Sequence, residues 1–146
     1  MNKIFPIILC GGGGHRLWPL SSTSKPKQFL KLFNNKTLLE NTMERFYNNP
    51  NCNPPILLTN QAYIKIINNL TKKYNISKII SEPLSKNTAP AIATAIIHLF
   101  QTNPDDYIII TPSDAYIENS EFNKYLNTLF INVKYKCPLK QLNCKF

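Results

Sequence analysis

The stretch that decides the fold reads Phe5-Pro6-Ile7-Ile8-Leu9-Cys10-Gly11-Gly12-Gly13-Gly14-His15-Arg16-Leu17-Trp18-Pro19-Leu20-Ser21. Its first six residues form a short apolar run rich in aliphatic and β-branched side chains, the pattern of a strand buried on both faces. All four glycines of the chain follow without interruption. Backbone lacking Cβ can approach a ligand closely and aim its N–H groups inward, which is what an anionic phosphate requires. Arg16 adds a planar donor fork suited to phosphate oxygens, and Lys25 and Lys27 follow with Pro26 stiffening the segment between them. No Gly-Lys-Ser/Thr follows, so the string is not a P-loop. Leu17 breaks the dinucleotide spacing GxGxxG. Taken alone, the glycines read better as a flexible turn among solvated cations.

Outward from this loop, apolar runs alternate with segments of helical periodicity. Thr37 and Glu40 form a capping box for a helix whose apolar face is Leu39, Met43, Phe46 and Tyr47. Pro54 and Pro55 open a second strand, Ile56 to Leu58. Tyr63, Ile66, Ile67, Leu70 and Tyr74 fall on one helical face. Ile79 and Ile80 centre a third strand. Thr88 reads as the cap of a helix with Pro90 in its first turn. That helix is apolar on nearly every side (Ala91, Ile92, Ala95, Ile96, Leu99), so it is expected to be buried. Tyr107 to Ile110 is the fourth strand, and Phe122, Tyr125, Leu126, Leu129, Phe130 and Val133 mark a last helix. Strands alternating with helices predict an α/β fold with a parallel sheet. From Lys134 the pattern fails: Tyr135, Cys137 and Leu139 alternate with polar residues, but Pro138 interrupts them. The expected division is residues 1–133 as one domain piece and 134–146 as a poorly ordered or aberrant tail.

The 146 residues suffice for one domain with a real core. No run of eighteen apolar residues exists to span a membrane. The apolar run from Ile4 to Cys10 leads into glycines instead of a cleavage site, so a secretory signal is not expected and a cytoplasmic location is. Cys10, Cys52, Cys137 and Cys144 show no CxxC spacing, which favours free thiols over zinc or a disulfide framework. The net charge is +9, and the first 39 residues hold six Lys or Arg and no acid. Such a field suits a nucleoside triphosphate and, on charge alone, nucleic acid. Against nucleic acid, the aromatics sit at core spacings instead of interleaving with Lys and Arg.

Gly11 to Ser21, followed by Pro26-Lys27-Gln28-Phe29-Leu30, closely resembles the signature of mannose-1-phosphate guanylyltransferases, a branch of the sugar nucleotidyltransferases. Glu82-Pro83-Leu84-Ser85-Lys86-Asn87-Thr88-Ala89-Pro90-Ala91-Ile92 looks like the family's second motif. Thr111-Pro112-Ser113-Asp114 matches the strand end where the family places a magnesium-binding aspartate. The resemblance covers about residues 1–130, and it implies a Rossmann-like three-layer nucleotidyltransferase fold, mostly parallel and here truncated. It also implies attack of mannose 1-phosphate on the α-phosphorus of GTP, giving GDP-mannose and pyrophosphate. Gly11, Gly12, Gly13 and Gly14 would hold the nucleotide phosphates, with Glu82, Asn87 and Thr88 on the base and ribose side. Arg16 and Lys27 would carry the catalytic charge stabilisation, and Asp114 would bind Mg²⁺.

The chain departs from the family at several places. His15 stands where the family has Thr, Ser85 where it has Gly, Lys86 where it has Arg, and Ala115 where the branch has His. The family's catalytic domain also continues further, with sugar-recognition segments and a second metal-binding aspartate; no Asp follows Asp114 here. Little or no guanylyltransferase activity is therefore expected of this polypeptide alone. A non-catalytic nucleotide-binding remnant, or one half of a split enzyme, is the alternative. Exposed apolar surface is expected to favour self-association or a complementary chain.

Overall fold

The computed structural model describes residues 3–12, 19–22, 25–47, 49–82, 88–102 and 104–136. All four expected strands form: β1 (Ile4–Cys10), β4 (Ile56–Asn60), β5 (Lys78–Glu82) and β6 (Tyr107–Pro112) make one sheet in the order β5-β4-β1-β6. Every pairing in it is parallel. A small antiparallel hairpin, β2 (Lys31–Phe33) and β3 (Lys36–Thr37), precedes α1 (Leu38–Tyr47). Sequence periodicity did not anticipate it. Its signal is Asn34-Asn35, whose φ angles of 51° and 54° are the left-handed pair a two-residue hairpin turn demands.

The capping box forms as predicted. The Thr37 amide donates to the Glu40 carboxylate at 2.8 Å, and the Glu40 amide donates to the Thr37 hydroxyl at 3.1 Å. Lys73, just past α2 (Ile64–Thr71), reaches Glu40 at 2.8 Å. Burial alone would raise the Glu40 carboxyl, but the Lys73 and Thr37 hydrogen bonds outweigh it and hold it below its ordinary 4.5. A carboxyl held low in the fold stabilises above its unfolded-state pKa, and that stability is lost as pH falls through the folded value. Acidification below about pH 4.5 is thus expected to lower the melting temperature. Glu40→Gln should lose about 1–2 kcal/mol at neutral pH and flatten this acid limb in thermal melts. An acid limb of unchanged slope in the variant would count against Glu40 as its source.

One face of the sheet carries a core of Phe5, Ile7, Ile56 and Leu58 closed by Ala95 and Leu99 of α3 (Thr88–Thr102). α1 packs on β1 with Leu38, Leu39, Met43 and Phe46 buried, separate from that cluster. Tyr47, assigned to the apolar face, is exposed instead, and Tyr74 lies beyond the end of α2. There the Tyr74 hydroxyl donates to Glu44 at 2.9 Å.

The expectation that α3 is buried nearly all round is corrected. Among its described side chains only Ala95 and Leu99 are buried, and Ile96, Ile97 and Phe100 are exposed. A helix laid on a sheet can press only one stripe against it, whatever the composition of its other faces. Thr88 begins this helix instead of preceding it.

The chain divides into two compact units, 1–116 and 117–146. The second contains α4 (Asn119–Lys136), the expected last helix, which extends through Tyr135. The remainder of the expected tail, 137–146, lies outside the described residues. No helix among the described residues is long and apolar enough to cross a membrane.

Candidate functional site

In this strand order the chain steps outward from β1 through β4 to β5, then returns to place β6 on the other side of β1. The switch point therefore lies between the carboxyl ends of β1 and β6, where open parallel sheets bind ligands. Gly11 and Gly12 leave the first strand there, and Ser113 and Asp114 leave the second. The Ser113 amide donates to the Leu9 carbonyl at 3.1 Å, tying the two tips together.

Lys27 heads a single 3₁₀ turn, Lys27–Phe29, that packs against α1. Its ammonium lies 3.4 Å from the Asp114 carboxylate, with both groups partly exposed. Gln28 beside it is buried, and its amide nitrogen donates to the carbonyls of Cys10 at 3.1 Å and Gly12 at 3.2 Å. This clamp fixes where the glycine loop starts. The motif containing Gln28 was legible in sequence, but its role was not, because its acceptors are backbone carbonyls. A Cβ added at Gly11 or Gly12 would meet nothing within 4 Å. Packing against the described residues therefore does not require glycine at either position.

Burial pushes the Cys10 thiol up to about 12, against a Ser113 hydrogen bond pulling the other way. Cys52 is pushed up to about 11, again chiefly by burial. Both are free, as expected, and neither is a nucleophile at neutral pH. Cys137 and Cys144 lie outside the described residues.

Of the other predicted site residues, Glu82 ends β5 on the same edge of the sheet, two strands from β1 and so roughly 10 Å from its tip. Thr88 opens α3. Gly13, Gly14, His15, Arg16 and Asn87 lie outside the described residues. The structure thus brings together Gly11, Gly12, Lys27 and Asp114, and adds Gln28. It also adds two α1 side chains that the sequence reading passed over. Thr42 and Arg45 are buried. Arg45 donates at 2.6 Å to the carbonyl of Ala115, next to Asp114.

Comparison with known proteins points the same way. The family model described as nucleotidyl transferase matches residues 5–132. Mannose-1-phosphate guanylyltransferase of Salmonella montevideo is 39% identical over 120 residues, which is 81% of this chain and 25% of that protein. Alginate biosynthesis protein AlgA of Pseudomonas aeruginosa is 37% identical over 118 residues, 80% of this chain and 24% of AlgA. The chain thus spans about a quarter of the length of these relatives. A crystal structure from Thermus thermophilus, described as a mannose-1-phosphate geranyltransferase, superposes with a TM-score of 0.77 at 29% identity, covering 91% of this chain and 39% of that one. With a family model matched along most of its length, this chain, a parallel α/β sheet, belongs to the nucleotidyl transferase family.

Proposed function

We propose that the crevice between β1 and β6 holds GTP and serves guanylyl transfer to mannose 1-phosphate, giving GDP-mannose and pyrophosphate. The observation that carries this reading is the Lys27–Asp114 pair, 3.4 Å apart, set against the open tip of β1. The guanylyltransferase named among the relatives supports the choice of substrates. A phosphate oxygen of mannose 1-phosphate bonds to the α-phosphorus of GTP. The bond from that phosphorus to its bridging oxygen breaks, and pyrophosphate leaves with the electron pair. Catalysis of this kind rests on positioning and charge balance. The amides of Gly11 to Gly14 hold the phosphates, and Lys27 and Arg16 balance charge on the triphosphate and the departing pyrophosphate. Glu82, Asn87 and Thr88 line the base and ribose side.

Asp114 offers a hard carboxylate oxygen of the kind Mg²⁺ prefers, and it faces solvent enough to take one. Mg²⁺ bound there supplies further neutralisation of the triphosphate. Nucleic acid and membranes have no part in this reading.

Calorimetric titration with GTP tests it: binding is expected with Mg²⁺ present, and no heat even in excess Mg²⁺ would overturn it. Gly12→Ala sharpens the test. The backbone at Gly12 is not left-handed and the added methyl meets no neighbour among the described residues, so stability should hold or rise by about 0.4–1 kcal/mol. GTP affinity should nevertheless fall at least tenfold, because the methyl keeps the phosphate from approaching the loop's amides and a hydrogen bond to a charged phosphate contributes about 1.5–3 kcal/mol. Unchanged affinity in the variant would remove the glycine loop from the site.

A second reading is nucleotide binding without turnover. No group of three His, Cys, Asp or Glu among the described residues is disposed to hold a metal. Pyrophosphate release assayed with both substrates separates the two readings.

A further inference from the structure

Arg45 is the largest buried polar side chain in the molecule's described part, 2% exposed, on a helix that also buries Leu38, Leu39, Met43 and Phe46 and, among polar groups, Glu40 and Thr42. Burying a guanidinium is costly unless strong hydrogen bonds replace its water. Desolvation lowers its pKa, yet an arginine keeps its charge. Its contacts converge on one place. Nη2 donates at 2.6 Å both to the Thr42 hydroxyl and to the Ala115 carbonyl, distances typical of charge-assisted bonds. Nε donates to the Asn41 carbonyl at 3.3 Å. The Thr42 hydroxyl lies 3.0 Å from the Leu38 carbonyl and 3.4 Å from that of Ser113.

Asp114 is thus framed by two anchors. On its N-terminal side, Ser113 is held to β1 through the Leu9 carbonyl at 3.1 Å. On its C-terminal side, Ala115 is held to α1 through Arg45. The 3₁₀ turn carrying Lys27 packs on the same helix. One helix therefore sets both ends of the Lys27–Asp114 pair.

We propose that Arg45, with Thr42, is a positioning residue that holds the Asp114 carboxylate where it can take the metal of a bound Mg²⁺–nucleotide. This rests on the proposed function and adds a residue to it.

A double-mutant cycle tests the proposal, using wild type, Arg45→Lys, Asp114→Asn and the double variant. GTP affinity is measured by calorimetry with Mg²⁺ and with EDTA, and the fold is checked by circular dichroism. Arg45→Lys is expected to weaken Mg²⁺–GTP binding about tenfold, the scale for losing a partner behind a metal ligand. It should leave binding in EDTA unchanged and add nothing in the Asp114→Asn background. Equal weakening with and without Mg²⁺, or an effect that persists on Asp114→Asn, would make Arg45 a purely structural residue and overturn the proposal. Should Arg45→Lys fail to fold, Thr42→Val carries the same cycle, with a smaller loss confined to the Mg²⁺ arm. Wild type that binds no Mg²⁺–GTP would sink the functional reading itself, a result distinct from either pattern above.

Discussion

Asp114→Asn is expected to abolish the Mg²⁺-dependent part of GTP binding while leaving the fold intact. The carboxylate pairs only with Lys27 at 3.4 Å among the ion pairs described, and both groups are partly exposed. A pair of that kind contributes about 0–1 kcal/mol, so the melting temperature should barely move. The ligand side is different. Loss of a partner behind a metal ligand already weakens metal affinity about 10- to 100-fold, and loss of the ligand itself should weaken Mg²⁺–GTP binding by at least that. In EDTA the sign reverses. An anionic side chain near a triphosphate repels it, and removing that charge also frees the Lys27 ammonium for the phosphates. The variant should therefore bind metal-free GTP as well as wild type or better. Calorimetry in the two buffers gives both values, and a variant that keeps the wild-type response to Mg²⁺ would take Asp114 out of the metal site.

The largest change in stability is expected from Leu99→Ala. Leu99 is 3% exposed and closes the cluster of Phe5, Ile7, Ile56 and Leu58 from above. Truncation leaves a cavity between helix and sheet that neither can collapse into, at about 2–5 kcal/mol. Phe100, the next residue, is 64% exposed, and Phe100→Ala should change stability by no more than about 0.5 kcal/mol. Urea denaturation midpoints for the two variants provide the comparison. A loss from Phe100→Ala approaching that of Leu99→Ala would mean that the outer side of α3 is covered in solution. A second copy of this chain, or another protein, would then rest on Ile96, Ile97 and Phe100.

What the sequence disclosed follows from how local each signal is. The strands announced themselves as continuous apolar runs, Ile7-Ile8-Leu9 and Ile108-Ile109-Ile110, although only the first is largely buried and Ile110 is 41% exposed. The capping box was visible because Thr37 and Glu40 satisfy one another three residues apart. Asp114 was legible as a candidate through its motif at a strand's end. Arg45 was not, because its partner carbonyl lies 70 residues away and nothing nearby in the chain marks a cation for burial. In retrospect Thr42 and Arg45, one helical turn apart among buried neighbours, are the trace it left. α3 misled for the opposite reason. An isoleucine-rich helix looks the same in sequence whether one side or every side is covered, and only the sheet decides which stripe is pressed. The hairpin was missed because two- and three-residue strands are too short to show alternation.

The position of β1 has a consequence for how the chain comes together as it is made. Its pairing with β4 joins Ile7 to Ile56, but its pairing with β6 joins Ile4 to Tyr107. At translation rates of about 5–20 residues per second, the β6-facing edge of β1 waits roughly 5–20 s after the strand has emerged. During that interval a strongly apolar ribbon offers unmet amides and carbonyls to any extended segment nearby. The first strand synthesised is the last to be enclosed, and distant closure of this sort makes folding slow.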